Sequence, residues 1–242
     1  MAPPRPWSAI EITDNGEPLV PLPAALLRIE PHPYQALGAP YGAGACPFRL
    51  RLGVVTRLLA AQAALERAAP GLTLAIFDAW RPVAVQAFMV EHAVASTCQG
   101  RGVDPGAPSP ARSAIEAEVA RFWAPPSQDP ATPPPHSTGA AVDLTLAGVE
   151  GALLDLGSPI DAIGAVSDPD HFAAAAAADP QGEAALWHGR RQLLAQVMAA
   201  AGFHRHPHEW WHFSHGDQLW AWLEGEALAP YGRYRGDAEE SC

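Results

Sequence analysis

Cysteine is scarce in this chain: Cys46, Cys98 and Cys242 are an odd count without C-x-x-C spacing. That excludes a disulfide framework and a zinc knuckle, and the expectation is free thiols in a reducing compartment. Positive charge is scarce as well, with 15 Lys and Arg against 26 Asp and Glu and a net charge of -11. Nucleic acid and anionic membrane surfaces both need a clustered positive patch, so neither is an expected partner. Long apolar runs are missing. The opening MAPPRPWSAIEITDNGEPLVPL has no apolar stretch after its positive residues, and no later segment supplies the roughly 20 uncharged apolar residues that span a bilayer. A soluble, cytoplasmic protein is the expectation. No internal repeat is visible.

What is present is enough apolar sequence, spread evenly over 242 residues, for one core. A single domain over residues 1–235 is expected, with 1–27 as an extended arm wrapping it and 236–242 as a loose tail. From Leu50 onward, Val54, Leu58, Ala61 and Leu65 fall on one helical face that ends near Pro70 and Gly71. LTLAIFDAW (72–80) reads as a buried strand, and Pro82 starts a second helix. SAIEAEVARFW (113–123) opens with Ser113 and Glu116 in capping-box spacing, which predicts a third. The proline-rich stretch 125–136 delivers the chain to a strand, STGAAVDLTL, and the alanine run after 171 precedes a helix stopped by Gly202. Strands separated by helices of unequal length, without βαβ alternation, predict an α+β fold with a central, mainly antiparallel sheet and helices packed on it.

The chemistry centres on EWWHF (209–213). Packing accounts for Trp210, Trp211 and Phe213 as core residues with a polar pair at the ends. A metal site accounts for Glu209 and His212, but it needs ligands from elsewhere. His136 ends the proline-rich loop, and Asp143 follows seven residues later inside the strand, with Gly139, Ala140 and Ala141 between to let backbones approach. His136, Asp143 and His212 together have the composition of a catalytic zinc site with one position open for water, and Glu209 would then be its general base. In a regular strand, residues three apart point to opposite faces; a bulge, or a strand that begins after Glu209, removes that conflict. E-x-x-H and H-x(6)-D each occur often by chance, so spacing alone leaves packing open beside zinc. His32, His92, His171 and His188 read as structural or solvated, and His204, His206 and His208, around Pro207, read as an exposed loop as well as they read as a metal tract.

FDAWRP (77–82), HSTGAAVDLTL (136–146) and EWWHF, in this order and at these separations, closely resemble the D-alanyl-D-alanine dipeptidases of the vancomycin-resistance type. These are zinc peptidases related to D,D-carboxypeptidases and to the hedgehog signalling fold. The resemblance runs from about residue 28 to residue 235. It implies His136, Asp143 and His212 as ligands of one zinc ion, placed at the sheet face, and Glu209 as catalytic base. Arg81 would steady the developing oxyanion, with Asp78 holding its guanidinium. DLGSPID (155–161) resembles a further family stretch whose final aspartate pairs with the substrate ammonium, which implies Asp161; Tyr34 is the match for a tyrosine near that ammonium. Two departures bear on recognition: Pro134 stands where the family has a serine, and the loop after Tyr34 lacks the family's Asn-Phe.

The implied activity is zinc-dependent hydrolysis of a small dipeptide with both ends free, D-Ala-D-Ala, in cell-wall metabolism. A D,D-carboxypeptidase or another peptidoglycan peptidase would share the zinc set but has no use for a carboxylate at Asp161. A non-catalytic zinc-containing domain of the hedgehog type would need neither Glu209 nor Arg81.

Overall fold

In the computed structural model, which describes residues 5–42 and 45–235, short apolar runs build a five-stranded sheet, and helices with apolar residues three and four apart cover it. In chain order the elements are β1 (Glu11–Ile12), β2 (Leu19–Pro21), β3 (Leu27–Arg28), α1 (Pro33–Ala36), β4 (Arg49–Arg51), α2 (Leu52–Ala68), β5 (Thr73–Asp78) and α3 (Val83–Gly100). They continue as α4 (Pro110–Phe122), β6 (Ala141–Ala147), α5 (Ala173–Ala178), α6 (Glu183–Ala200), β7 (His204–Arg205), β8 (His212–Ser214), α7 (Gln218–Glu224) and β9 (Leu228–Ala229). The main sheet has the order β3-β5-β6-β8-β7. Only β3 joins in parallel, so the expected mainly antiparallel α+β architecture is what forms.

β6 is buried along its whole length and sits at the middle of the sheet. Its alternation decides the layering. Val142, Leu144 and Leu146 enter one core with Leu74 and Ile76 of β5, Leu58 and Leu65 of α2, and Leu194 and Met198 of α6. Fully burying one such aliphatic side chain is worth roughly 1.5–3 kcal/mol, which sets the register and leaves Asp143 to the opposite face. A second cluster joins Tyr34 and Tyr41 to Val85 and Met89 of α3 and to Ile115 and Val119 of α4. The site lies where that second cluster meets the sheet.

From Arg5 the chain runs as a series of short elements. A 3-10 turn at Pro6–Ala9 leads into β1, which pairs in parallel with β9, and β2 pairs antiparallel with β4. The tail expected to be loose lies outside the described residues. Among the described residues, no helix is long and apolar enough to cross a membrane.

Three local expectations shift. α4 begins earlier than the Ser113–Glu116 pair suggests: Ser109 Oγ caps it by accepting the Arg112 N–H at 3.1 Å, with Pro110 at the first turn. Pro82 is the residue before α3 rather than its first. Cys98 is a buried free thiol as expected, but Cys46 is disulfide-bonded, against the expectation of free thiols.

Candidate metal centre and active site

Three adjacent strands bring one residue each to the same level. Asp143 of β6 lies opposite Asp78 of β5 on one side and opposite His212 of β8 on the other. Residues directly opposite each other in antiparallel strands share a face. Asp78 reaches this position because the β5–β6 register slips between Ile76 and Asp78; the bulge re-aims Asp78 toward the site. β8 starts at His212, and residues 207–211 are turn and coil, so Glu209 is free of the strand alternation and joins His212 in one cleft.

His136 arrives from the 3-10 turn Pro135–Thr138, which Gly139 closes at φ 72°. A Cβ on Gly139 would sit 2.2 Å from the Leu19 side chain, so both the left-handed backbone and the close approach require glycine. Gly139, of the small residues between His136 and Asp143, therefore has the spatial role expected of it.

The His136, Asp143 and His212 side chains are all buried, and one potential ligand atom from each lies within 4.8 Å of the others. His136 Nδ1 donates to the Ala79 carbonyl at 2.7 Å, which turns the Nε2 lone pair inward. That Nε2 lies 3.2 Å from His212 Nδ1 and 3.2 Å from Asp143 Oδ2, while His212 Nδ1 lies 2.9 Å from Asp143 Oδ1. Two imidazole nitrogens and a carboxylate facing one point form a donor set that would suit a borderline divalent cation such as zinc. Burial pushes the Asp143 carboxyl up, but the His136 and His212 rings outweigh it and hold it well below the usual carboxylate range. Burial lowers the His212 pKa, favouring the neutral ligand form.

Glu209 Oε2 stands 3.8 Å from His212 Nδ1 and Oε1 stands 3.6 Å from His206 Nδ1. Burial, with the Asp143 charge adding to it, pushes the Glu209 carboxyl well above the ordinary range. Arg81 is enclosed: Nε donates to Asp78 Oδ2 at 2.9 Å, Nη1 to Gln86 Oε1 at 2.9 Å, and Nη2 to Tyr34 Oη at 3.2 Å and Asp143 Oδ2 at 3.0 Å. The Tyr34 and Trp123 rings flank it at 4.9 and 5.1 Å. Asp78 in turn accepts from Tyr41 Oη at 3.1 Å and lies 3.0 Å from His32 Nε2. His32 thus has the structural role expected of it.

Asp161 lies in the loop between β6 and α5 at φ 65°, one of two non-glycine residues with positive φ among the described residues. Its carboxylate accepts from Tyr34 Oη at 2.8 Å. Every residue singled out from sequence therefore meets at one cavity or borders it, since Arg81, His136, Asp143, Asp161, Glu209 and His212 line it and Tyr34 and Asp78 bond to that wall.

Two further residues of this wall were not among the candidate site residues. Arg5 enters from the arm, and His206, which read from sequence as an exposed loop or a metal tract, is buried. His204 and His208 are partnered elsewhere, by Glu224 and Asp168.

The chain as a whole is similar to proteins already known. The family model Peptidase_M15, described as D-ala-D-ala dipeptidase, matches residues 28–228. A protein of Synechocystis sp. named D-alanyl-D-alanine dipeptidase is 42% identical over 239 residues, covering 95% of this chain and 96% of that protein. Two solved structures are also similar. One is a vancomycin-resistance D,D-pentapeptidase in complex with Zn(II), at 14% identity and TM-score 0.45 over 93% of this chain and 97% of that one. The other is VanYB in complex with D-alanine-D-alanine, at 16% identity and TM-score 0.45 over 74% of this chain and 79% of that one.

Proposed function

Since the chain belongs to the D-ala-D-ala dipeptidase family, we propose that it is a zinc-dependent dipeptidase that hydrolyses free D-Ala-D-Ala to two molecules of D-alanine. The observation that carries this reading is the convergence of His136, Asp143 and His212 with the Glu209 carboxylate, the Arg81 guanidinium and Asp161 in one cavity.

His136, Asp143 and His212 hold the ion in this reading, and zinc there supplies Lewis acidity that polarises a carbonyl and makes water acidic enough to be deprotonated near neutral pH. Glu209 takes a proton from the attacking water and passes it to the leaving nitrogen. The water oxygen bonds to the carbonyl carbon, the C–N bond breaks, and the nitrogen departs as the amine of the second alanine. Arg81 faces the charge that develops on the carbonyl oxygen, held rigid by Asp78, Gln86, Tyr34 and Asp143, so it needs no reorganisation as the reaction proceeds. Asp161 pairs with the substrate ammonium, and a longer peptide, which offers an uncharged amide at that point, leaves its carboxylate unbalanced.

The test is release of alanine from D-Ala-D-Ala by purified protein, before and after chelation and zinc add-back, with L-Ala-L-Ala and N-acetyl-D-Ala-D-Ala alongside. Zinc-dependent turnover of the free D,D-dipeptide alone supports the proposal. Turnover of the acylated peptide instead makes the protein a D,D-carboxypeptidase, and no turnover by zinc-loaded protein removes catalysis of this kind.

A further inference from the structure

The cavity wall, where it adjoins a larger cavity, holds two buried donors that no described residue satisfies. Arg5 and His206 both line it, and Arg5 Nη2 and His206 Nε2 are buried without a hydrogen-bond partner among the described residues. His206 Nδ1 accepts the His208 backbone N–H at 3.2 Å, so the ring hydrogen of the neutral form sits on Nε2. An unpaired buried donor carries a desolvation penalty that native proteins rarely leave standing. A guanidinium N–H and an imidazole N–H on one wall match the two oxygens of a carboxylate.

Their position says which carboxylate. From Asp161 the contacts run through Tyr34 Oη at 2.8 Å, Arg81 at 3.2 Å, Asp143 at 3.0 Å and His212 at 2.9 Å to Glu209 at 3.8 Å. His206 follows at 3.6 Å from Glu209 and packs edge-on against Trp7 of the arm at 5.8 Å. The Arg5 guanidinium lies over that Trp7 ring at 5.5 Å, which places it at the His206 and Glu209 end. The metal donors lie between, so the wall carries an anion at one end and a cation at the other, as a zwitterionic dipeptide requires.

We infer that Arg5, assisted by His206 Nε2–H, binds the free carboxylate of the dipeptide while Asp161 holds the ammonium. This rests on the dipeptidase reading and adds the second half of its length selection: a longer peptide lacks a terminal carboxylate at this distance. Arg5 precedes the residues 28–228 that the family model matches, so the arm supplies part of the site. The Arg5 guanidinium also lies over the Trp7 ring at 5.5 Å, which limits its freedom before substrate arrives.

The experiment compares zinc-loaded wild type, Arg5→Ala and Arg5→Lys on D-Ala-D-Ala and on D-alanyl-D-alaninamide. Arg5→Ala should raise KM for the free acid by about ten- to a hundredfold, the range for losing a hydrogen bond to a charged group, and raise KM for the amide, whose carbonyl oxygen accepts without a charge, by a clearly smaller factor. Arg5→Lys should fall between. Calorimetric binding of D-Ala-D-Ala to the Glu209→Gln protein should weaken by the same factor when Arg5→Ala is added, without reference to turnover. An equal effect of Arg5→Ala on acid and amide, or none on either, overturns the inference. A wild type that turns over neither substrate overturns the dipeptidase reading itself, and this assignment with it.

Discussion

The Tyr34 hydroxyl donates to Asp161 Oδ2, 127 residues further along the chain, at 2.8 Å and accepts from Arg81 Nη2 at 3.2 Å, joining the group assigned to the ammonium to the group assigned to the oxyanion. One hydroxyl therefore sets two distances in the site. Tyr34→Phe keeps the ring packed against Phe77 and Trp123 but removes both bonds. A fall of about 1.5–3 kcal/mol in transition-state stabilisation follows, since both partners are charged. Steady-state kinetics on D-Ala-D-Ala should show it in kcat/KM; an unchanged value removes Tyr34 from the site.

Asp161 gives the pH dependence its sign. Burial, the largest influence, and the Asp143 charge push its carboxyl up to about 7. Below that pH it is neutral and cannot pair with an ammonium; above it the ion pair is available. KM for D-Ala-D-Ala should rise as pH falls from about 7 toward 5, by up to about tenfold per unit. Asparagine tolerates the left-handed backbone found here at φ 65°, so Asp161→Asn should fold, show a high KM and lose its dependence on pH in that range. A KM that stays flat in the wild type contradicts the role.

Ligand types were legible in sequence because His136, Asp143, His212 and Glu209 stand in short motifs, and strand alternation flags the difficulty between Glu209 and His212. The resolution of that difficulty was not legible: whether β8 begins at His212 depends on backbone bonds such as Trp210 N–H to the Ser167 carbonyl at 3.0 Å and His206 N–H to the His212 carbonyl at 2.9 Å. The bulge that brings Asp78 opposite Asp143 is likewise a property of strand pairing, not of the FDAWRP segment. Arg5 and His206 escaped because polarity and a neighbouring proline suggest exposure, whereas the arm's packing against α7 and the turn encloses them. The cap of α4 went to Ser109 because Pro110 is pre-set for the first turn, a preference that outweighs the weaker Ser113–Glu116 pattern.

Glu209→Gln separates chemistry from metal binding. The amide keeps the shape but cannot accept the water's proton, so kcat should fall by about 10²–10⁴ while zinc content measured by atomic absorption stays at one per chain. Chelation of the wild type should remove activity and lower the melting temperature, because the ion binds the folded state and the buried donors are left facing one another. Zinc add-back should restore both. A Glu209→Gln protein with wild-type turnover excludes it as the base.

Arg81→Lys tests geometry at constant charge. Lysine cannot reproduce bonds to Asp78, Gln86, Tyr34 and Asp143 at once, and it leaves the fully buried Asp78 carboxylate short of a partner. kcat/KM should fall by roughly 10²–10³, the range for losing one oxyanion donor, and denaturant unfolding should show lower stability. Equal kcat/KM in the two proteins would mean that charge alone suffices and that the fork has no catalytic part.

The loop that carries Asp161 is fixed from behind by Arg191 of α6, and this positions the ammonium site without touching it. Arg191 Nε donates to the Leu156 carbonyl at 2.8 Å, Nη1 to the Asp168 carbonyl at 3.0 Å and Nη2 to Ser158 Oγ at 3.1 Å. The Trp210 indole N–H also donates to Ser158 Oγ, at 2.9 Å, and the guanidinium lies over the Trp210 ring at 5.1 Å. Trp210 adjoins Glu209 in sequence, so the same contacts tie the Asp161 loop to the turn that holds the base. Arg191→Met fills similar volume but strands the Leu156 carbonyl, leaves the Asp168 carbonyl with the His171 N–H alone and releases Ser158, which should cost about 1–3 kcal/mol of stability. Because Asp161 is held at a positive φ that the free chain does not favour, a loosened loop should relax away from Tyr34. KM for D-Ala-D-Ala should then rise several-fold while kcat at saturation stays near wild type, since Glu209 and the metal donors are not bonded to Arg191. Loss of stability with an unchanged KM would mean that the clamp supports the fold and that Asp161 is positioned by Tyr34 alone.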